Sequence, residues 1–323
     1  MNLLVTGGAG FIGAHLCKYF VDKGHKIVCI DNFDEFYPKN IKKDNIKDLK
    51  ENSKFQLITS DVRDTDTLID IFFSKRIEAV VHLAAKSGPS LSFKNPTEYI
   101  NINVNGTISL LEAMKEADVN KLVFASTSSV YGIENPTPYI EDMVPGTPGN
   151  PYAASKQATE NIIQMYHHLF DLSAVVLRIF SVYGPRQRPD SGMFQFVKSN
   201  LKKQPVTVYS EGKQLRDYTH VNDIVQAISL SIDYLLRPGA SPEHTVFNIA
   251  SGKPASVNEI LEIIESHTKN KFDIQYKKPP IGNITAMVGD IGKARDLLGY
   301  TPTGDLHAGI GEFITWLIDN DLQ

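Results

Sequence analysis

The sequence predicts an α/β protein with a doubly wound parallel sheet. Short apolar runs alternate with amphipathic stretches through the first half of the chain, and strands buried between two helical layers produce this alternation. A change to helical spacing between the first two runs supports the same architecture. The candidate strands are residues 3–6, 26–30, 55–60, 79–83, 121–126 and 174–180.

A predicted helix joins the first two strands. Apolar residues recur at helical spacing from Ile12 to Phe20, and Gly24 is placed to end the helix in a left-handed conformation. These segments predict one strand–helix–strand unit. The lysine-rich segment 39–54 has interleaved acids and few apolar residues, so we expect a solvated helix or loop over the cleft.

The second half of the chain has shorter, scattered apolar runs, with prolines and charges clustered in GPRQRPDSG and KKPPIGN. We therefore expect residues 1–180 to form the main domain and residues 181–323 to form mainly a smaller α/β domain. This second domain is expected to be discontinuous, with residues 246–250 returning as a strand. A capping box formed by Ser256 and Glu259 predicts a helix after it.

Composition limits the classes of partner. The 323 residues carry a formal charge of -4, with 42% hydrophobic and 22% charged residues, which is ordinary for a globular protein. Because there is no broad basic field, we expect neither nucleic acid nor an anionic membrane as a partner. Cys17 and Cys29 lie in apolar segments and are expected to be reduced. An apolar strand begins at once without a charged leader, which predicts a soluble cytoplasmic protein.

A dinucleotide site is predicted where the first strand meets its helix. Gly7, Gly10 and Gly13 form GxxGxxG there, and missing side chains allow the backbone to approach a pyrophosphate closely. Asp31 ends the next strand, where a ribose-binding carboxylate is required. A carboxylate repels a 2′-phosphate and no arginine follows it, so NAD is favoured over NADP. Asp61 is placed to face the adenine, although a loop or capping role explains it nearly as well.

A tyrosine and a lysine are four residues apart in the segment PYAASK. Pro151 suits the first turn of a helix, so Tyr152 and Lys156 share one helix face. A lysine ammonium favours the phenolate of a tyrosine that is otherwise a poor base, and the same lysine can hold the nicotinamide ribose. The hydroxyl-rich strand end at residues 126–129 can bridge a substrate oxygen and the tyrosine. We expect these groups to form a catalytic constellation.

The motifs GGAGFIG, DNF, DV, HLAA, STSSVYG, PYAASK and RDYTHV follow one another along nearly the whole chain. In this order they resemble the nucleotide-sugar epimerases and dehydratases of the extended short-chain dehydrogenase/reductase family. The resemblance implies a Rossmann-type domain that keeps NAD bound through a complete catalytic cycle, and a second domain that binds a UDP-sugar. It also implies a homodimer formed by two helices of each subunit, near residues 99–116 and 152–170.

The resemblance assigns roles to particular residues. It makes Tyr152 the catalytic base, Lys156 its lysine and Thr127 the family's hydroxyl residue, and it places Asn103 near the cofactor. The implied cofactor-binding set is Gly7, Gly10, Phe11, Ile12, Gly13, Asp31, Asn32, Asp61, Val62, Leu83, Ala84, Ala85, Asn103, Ser126, Tyr152 and Lys156. The implied substrate-binding set is Thr127, Ser128, Ser129, Ser181, Arg188 and Arg216.

Two arginines are candidates for the pyrophosphate of the nucleotide sugar. Arg216 in LRDYTHV matches the family's phosphate-binding arginine, and Arg188 in GPRQRPD is a second candidate. Fixed cations at that place would grip UDP while leaving the sugar free to turn. For either arginine, a surface position or a structural ion pair stays open as the alternative.

The family mechanism inverts a hydroxyl-bearing carbon. Tyr152 removes the hydroxyl proton while the hydride of that carbon passes to NAD, the ketone turns, and the hydride returns to its opposite face. A dehydratase of this family needs Asp-Glu directly after the threonine, whereas Ser128 and Ser129 follow Thr127 here, which argues against dehydration. A UDP-glucuronate decarboxylase and a noncatalytic NAD-binding protein are the remaining alternatives.

The sugar is expected to be a uronate. DNFDEFY and RIFSVYGPRQRPD are most similar to the UDP-glucuronate 4-epimerase branch, in which a hydroxyl residue occupies the position of Ser181. This resemblance implies interconversion of UDP-glucuronate and UDP-galacturonate, with UDP-glucose/galactose or an N-acetyl derivative as the runner-up. One stretch departs from the family. Where the family's distal UDP-binding stretch has an Arg or Gln followed by Gly-Asp, this chain has the residues from Pro280 to Asn283. The family's UDP contacts at this stretch are therefore not carried over to this chain.

No metal site is predicted from the histidines. His82 lies inside an apolar strand and is expected to be a hydrogen-bonded core residue. His167 and His168 are adjacent, so they point in different directions on a helix and make a poor metal pair. For His220 a structural hydrogen bond is the expected role.

Overall fold

The computed structural model describes residues 1–237, 239, 243–279 and 284–322. Its thirteen strands are β1 Asn2–Thr6, β2 Lys26–Ile30, β3 Phe55–Ile58, β4 Ala79–His82, β5 Lys121–Thr127, β6 Ser173–Ile179, β7 Ser181–Tyr183, β8 Val206–Tyr209, β9 Leu215–His220, β10 His244–Ile249, β11 Pro254–Ser256, β12 Ile274–Lys277 and β13 Ala286–Met287.

The twelve α-helices in this described part of the chain are α1 Phe11–Asp22, α2 Lys39–Asn45, α3 Thr65–Lys75, α4 Pro89–Ser92, α5 Pro96–Tyr99, α6 Gly106–Glu116, α7 Pro151–Phe170, α8 Gly192–Leu201, α9 Val221–Leu235, α10 Val257–Thr268, α11 Gly292–Leu298 and α12 Leu306–Asp319. A π-helical segment, Ile100–Asn105, lies between α5 and α6. Across the described ranges, no helix has the length and apolar character needed to cross a membrane.

Seven strands form one parallel sheet in the order β10-β6-β5-β4-β1-β2-β3. All six neighbouring pairs are parallel. The chain fills one half of the sheet with β1 to β3 and then crosses to the other side of β1 with β4. In open α/β sheets a ligand binds at the carboxyl ends of the strands beside such a switch point.

Helices cover both faces of this sheet, as the α/β prediction requires. One face packs with α1 and α9 through residues such as Leu3, Leu16 and Ile228. The other face packs with α3, α6 and α7 through residues such as Leu110 and Ile163. Because each strand is covered on both sides, successive residues are apolar instead of alternating with polar ones.

The predicted strands are confirmed to within a few residues at each end. The strand expected at 246–250 is β10, which begins at His244 and pairs with β6 at the edge of the large sheet. The predicted turn at Gly24 is also present, with φ of +89° just after α1. The predicted capping box opens α10, with both of its hydrogen bonds formed between Ser256 and Glu259.

The remaining strands form two smaller sheets beside the carboxyl ends of the large sheet. In one, β11 and β13 flank β9, which also pairs with β7. In the other, β12 pairs with β8. Helices α8, α10 and α12 enclose a separate apolar core that includes Phe194, Ile260 and Phe313. Residues from both parts of the fold therefore border the same cleft.

Candidate active site

A cavity of about 710 Å³ lies between the two parts of the fold. It is bordered by the turn after β1, the ends of β2, β4 and β5, and the start of α7. From the other side it is bordered by residues of β7, α8 and β9, together with Met287. All the predicted site residues except Asn103 line it.

The glycine turn leaves the amino end of α1 open to this cavity. Gly7 has φ of +71°, which favours glycine, and a Cβ on Gly13 would lie 2.3 Å from the carbonyl oxygen of Gly7. Gly10 stands at the helix start and provides no side chain to cap it. A helix amino end with exposed N–H groups attracts anions. The Tyr37 hydroxyl also lines this cavity and has no hydrogen-bond partner among the described residues, so the site fits a dinucleotide pyrophosphate.

Asp31 lies at the carboxyl end of β2 and is fixed by the backbone. Its carboxylate accepts hydrogen bonds from the N–H groups of Ala9 at 3.2 Å and Phe33 at 2.9 Å. Lys42 Nζ is 3.5 Å from the Asp31 carboxylate, and both side chains are almost fully buried. The expectation of a solvated segment at 39–54 is therefore corrected at Lys42. Asn45 donates to the carbonyl of Ala9, so α2 packs onto the glycine turn.

Asp61 forms the wall next to Asp31. Its carboxylate accepts hydrogen bonds from Asn32 Nδ2 at 2.8 Å and from the Arg63 guanidinium, also at 2.8 Å. The Arg63 hydrogen bond is the main reason that the pKa of Asp61 is lowered to about 2. Val62 is buried beside it. A fixed carboxylate and an apolar side chain suit the edge and face of an adenine.

The catalytic candidates meet at the start of α7. Asn150 caps this helix by accepting a hydrogen bond from the N–H of Ala153 at 2.9 Å, and Pro151 occupies its first turn. Tyr152 and Lys156 consequently lie one turn apart on the side that faces β5. Thr127 ends β5, and its hydroxyl lies close enough to Tyr152 to favour the ionised phenol.

Burial shifts the pKa values of Tyr152 and Lys156 in the directions that favour their neutral forms. Burial raises the pKa of Tyr152, while the nearby Thr127 hydroxyl and the charge of Arg188 oppose this rise. Burial lowers the pKa of Lys156 to about 7, and the charge of Glu160 opposes that fall. Lys156 Nζ donates to the carbonyl of Ala125 at 2.8 Å. Perturbed pKa values of this kind are common at catalytic sites.

The predicted hydroxyl groups do not all face the cavity in the same way. Ser126 donates to the Glu160 carboxylate. The N–H of Ser129 donates to the Thr127 hydroxyl at 3.2 Å, which fixes the turn after β5. Ser181 begins β7 and borders the cavity from the other side.

The two arginines occupy different walls. Arg188 forms an ion pair with Asp190 at 3.0 Å and contacts the Ser87 hydroxyl, and its charge influences Tyr152. It therefore lies toward the catalytic end of the cavity. Arg216 donates to the carbonyl of Ile284 at 2.7 Å, and none of the described carboxylates forms an ion pair with it. The stretch from Pro280 to Asn283 that departs from the family lies outside the described residues.

Asn103 lies behind the cavity instead of lining it. Its side chain binds both the N–H and the carbonyl of Lys86, at 2.7 and 2.9 Å. It also donates to Ser155 Oγ at 2.9 Å. Asn103 thus ties the loop after β4 to α7. The loop carries Leu83, Ala84 and Ala85 into the wall of the cavity.

His82 has the structural role expected of it. Its two ring nitrogens lie 2.6 Å from Thr6 Oγ1 and 3.0 Å from Thr107 Oγ1. His220 caps α9 through a hydrogen bond with the N–H of Asn222. Within the described residues, no group of three His, Cys, Asp or Glu side chains is arranged to hold a metal ion.

Several residues that border the cavity were not predicted from the sequence. Lys42 and Lys86 line it, as do the rings of Phe36 and Tyr37. The aromatic residues in DNFDEFY could have been identified from the sequence, because large apolar side chains in a loop are expected to pack against another surface of the protein. Lys42 carried none, since its burial depends on how α2 folds back over the glycine turn.

The comparisons with known proteins agree with this architecture. The model of the NAD dependent epimerase/dehydratase family matches residues 3–250. A UDP-glucuronate 4-epimerase of Thermodesulfobacterium geofontis is 36% identical over 318 residues, covering 98% of this chain and 96% of that protein.

Two solved structures are similar along the whole chain. The UDP-glucuronic acid 4-epimerase of Bacillus cereus, in complex with UDP-glucuronic acid and NAD, has a TM-score of 0.92 and 34% identity, with 99% of this chain and 100% of that one covered. The UDP-glucose 4-epimerase of Thermotoga maritima with UDP-glucose has a TM-score of 0.89 and 29% identity, with both chains covered completely. Given the family match and these similarities, the chain belongs to the NAD dependent epimerase/dehydratase family.

Proposed function

We propose that this protein is an NAD-dependent epimerase that inverts C4 of a UDP-sugar, and that its substrate pair is UDP-glucuronate and UDP-galacturonate. The proposal rests on one observation: Tyr152, Thr127 and the glycine turn all line the same cavity. The similarity to UDP-glucuronate 4-epimerases over nearly full length supports the choice of sugar.

The dinucleotide would lie along the carboxyl ends of β1 and β2. The amino end of α1 would hold its pyrophosphate, and Asp31 would accept hydrogen bonds from the adenosine ribose. Asp61 and Val62 border the region assigned to adenine. Lys156 would bind the nicotinamide ribose. When bound, NAD supplies a hydride acceptor and a positive ring charge that favours the ionised form of a nearby tyrosine.

The residues of the chain then provide the proton chemistry. Tyr152 accepts the proton of the C4 hydroxyl, and Thr127 holds that oxygen through its own hydroxyl. The 4-keto sugar turns in the cavity so that the opposite face of C4 is presented to the cofactor, and Tyr152 returns the proton to the C4 oxygen. Because the hydrogen atom of C4 also leaves and returns, the net redox change is zero.

The second part of the fold would hold the nucleotide sugar. We assign UDP binding mainly to residues 181–323. Helix α9 and strand β10 are excepted, because α9 packs against one face of the large sheet and β10 is its edge strand. Arg216 suits the UDP pyrophosphate because it is a partly buried cation without a carboxylate partner among the described residues. Arg188 is the second candidate for this pyrophosphate. The C6 carboxylate of a uronate would be surrounded by the cavity-lining hydroxyls of Thr127, Ser128, Ser129 and Ser181.

A neutral UDP-sugar is the second candidate substrate. It is favoured by the similarity to the Thermotoga maritima UDP-glucose 4-epimerase. The Asp190 carboxylate also favours it, because it already pairs with Arg188 and so offsets a positive charge that would attract the carboxylate of a uronate. A UDP-glucuronate decarboxylase shares the catalytic groups and is distinguished by its product. Dehydration is disfavoured because Ser128 and Ser129 replace the required acid and base.

The proposal includes a homodimer in the cytoplasm. Helices α6 and α7 would pair with the same helices of a second copy. Exposed apolar side chains on this side, Ile100, Met165 and Leu169 among them, are available for such packing. The two buried free cysteines suit a reducing compartment.

Incubation with UDP-glucuronate deuterated at C4 tests the reaction. We expect UDP-galacturonate without added NAD, and we expect the product to retain deuterium at C4 because the same atom leaves and returns. Nuclear magnetic resonance and mass spectrometry of the product measure both. Loss of the deuterium to solvent would contradict transient oxidation at C4.

A further inference from the structure

A row of polar residues crosses three strands beneath α7. Ser126 of β5 and Arg178 of β6 are direct neighbours, and Arg178 is also the neighbour of Asn248 on β10. Neighbours in parallel strands point to the same face of the sheet. The rest of this face is an apolar core that includes Phe124 and Val176. Such a row is costly to bury unless every member is paired.

Glu160 of α7 closes this row from above. Its carboxylate accepts hydrogen bonds from the Ser126 hydroxyl and from Arg178 Nη2, the latter at 2.9 Å. The Glu160 and Arg178 side chains are only 9% and 5% exposed. The guanidinium lies 4.7 Å from the ring centre of Tyr131, whose hydroxyl donates to Asn248 at 2.6 Å. The carboxylate is therefore held on several sides.

Glu160 is one helical turn beyond Lys156, so both side chains reach toward the same strand. Lys156 Nζ donates to the carbonyl of Ala125, and Glu160 accepts from the next residue, Ser126. Thr127 comes directly after them. Lys156 and Glu160 thus form hydrogen bonds to adjacent residues of β5, directly before Thr127.

The other groups around Lys156 provide no compensating negative charge. His82 of β4 is close enough for Lys156 to influence it, but burial lowers its pKa to about 3, so it is neutral. Phe124 presents its ring 4.4 Å from Nζ, and Tyr152 is uncharged while burial keeps its pKa raised. Among the described residues, Glu160 is the only charged group that raises the pKa of Lys156.

We propose that Glu160 is a positioning residue of the active site: Arg178 and Ser126 fix its carboxylate, which keeps Lys156 charged and directed toward the cofactor. The role in turnover rests on the proposed function, whereas the role toward the cofactor rests only on dinucleotide binding. A purely structural role is the competing explanation, because buried ion pairs also occur without any effect on a neighbouring site.

The rate at which NADH leaves the loaded holoenzyme, measured by fluorescence against pH, tests this role. A charged Lys156 binds the ribose hydroxyls more strongly than a neutral one, so release should accelerate as pH rises through the pKa of Lys156. Glu160→Gln should move this acceleration to lower pH and raise the release rate at pH 7 by about tenfold. Lys156→Met should remove the pH dependence.

Two further variants separate positioning from stability. Glu265 lies on α10 outside the cavity, where its carboxylate pairs with Lys271. The control variant Glu265→Gln removes this carboxylate, and its NADH release rate should equal that of the unaltered protein at every pH. Glu160→Gln leaves Arg178 buried without a counter-charge, which is destabilising. The double variant Glu160→Gln/Arg178→Gln removes both charges. Because the positive charge of Arg178 opposes the effect of the Glu160 carboxylate on Lys156, its pH dependence should lie between those of Glu160→Gln and the unaltered protein.

An unchanged pH dependence in Glu160→Gln would overturn the proposal, even with a lowered melting temperature. So would the absence of any pH dependence in the unaltered protein. A failure of the proposed epimerase activity would be seen separately, as no turnover of UDP-sugars, and would leave the NADH release rates interpretable.

Discussion

Tyr152 is the residue on which the proposed reaction depends most directly. It is partly buried at the cavity wall, where this burial raises its pKa and both Thr127 and Arg188 oppose the rise. A tyrosine in this environment is a poor base until a further positive charge arrives. In the proposed reaction, the positive charge of the bound cofactor would therefore favour proton removal by Tyr152.

Replacing Tyr152 with phenylalanine tests this role. The phenol oxygen disappears while the ring remains, so the fold and the bound NAD should be retained. Loss of a general base costs on the order of 10² to 10⁴ in rate, and kcat should fall by that factor. Thr127→Ala should lower kcat less, because neighbouring serines or water can replace its hydroxyl. A Tyr152→Phe variant with near-normal turnover would refute the mechanism.

Asp31 is expected to set the preference for NAD. The structure adds Lys42, whose ammonium is 3.5 Å from the carboxylate. In Asp31→Ala the acceptor for the ribose hydroxyls is lost and the lysine becomes available to a 2′-phosphate. The ratio of NAD to NADP affinity should therefore fall about tenfold or more.

Affinity measurements with both dinucleotides check this result. Asp22→Ala is a matched control, because Asp22 is an exposed acid paired with Lys18 at the end of α1. The unaltered protein should also carry NAD after purification. An unchanged preference in Asp31→Ala would show that another residue discriminates between the cofactors.

At the scale of elements, the turn between β1 and α1 brings the dinucleotide close to the backbone. A Cβ on Gly13 would lie 2.3 Å from the Gly7 carbonyl oxygen and 2.6 Å from the Gly8 Cα. Both are backbone atoms, so neither can move without displacing the turn. The requirement for glycine here follows from packing and is independent of the ligand.

Gly13→Ala should therefore destabilise the protein and weaken NAD retention together. Overpacking of this kind costs about 1–3 kcal/mol. Urea unfolding gives the free energy, and assay of the denatured supernatant gives the NAD content. Gly292→Ala is a suitable control, since its Cβ would meet only the movable Asp290 carboxylate, at 2.9 Å. Equal behaviour of the two variants would contradict the packing argument.

The elements themselves could be predicted because local patterns determine them. Apolar runs marked the strands of the large sheet, and Ser256 with Glu259 marked the start of α10. The short strands β7, β8 and β12 were not identified, because three or four residues of mixed polarity carry little periodicity. Their pairing depends on contacts such as Ser181 with Tyr218, which are distant in sequence.

At the scale of the whole molecule, the site forms because distant segments converge. The order of motifs predicted a set of site residues, from the glycine turn to Arg216, that the fold brings to one cavity with the exception of Asn103. It was not sufficient to predict the burial of Lys42 or the Glu160–Arg178 pair, since these depend on how helices pack over strands. Asn103 shows the same limitation: its place behind the cavity follows from tertiary contacts with Lys86 and Ser155.

The proposed dimer is also a prediction about the whole molecule. Leu169 is 59% exposed near the end of α7, on the side assigned to the second copy. Leu169→Glu would bury an unpaired charge in the interface, which costs several kcal/mol, so the dimer should dissociate. Leu297 is 52% exposed on α11, and Leu297→Glu should leave the dimer intact. Analytical ultracentrifugation distinguishes the outcomes, and a monomeric unaltered protein would contradict the assignment.

The proposed function requires the whole cavity to bind a UDP-uronate in preference to a neutral UDP-sugar and to invert its C4. The most direct measurement is kcat/KM for UDP-glucuronate beside UDP-glucose and UDP-N-acetylglucosamine, with carbon dioxide release monitored. We expect the highest value for UDP-glucuronate, with UDP-galacturonate as product and no carbon dioxide. A higher value for a neutral sugar would contradict the uronate assignment, and stoichiometric carbon dioxide would identify a decarboxylase instead.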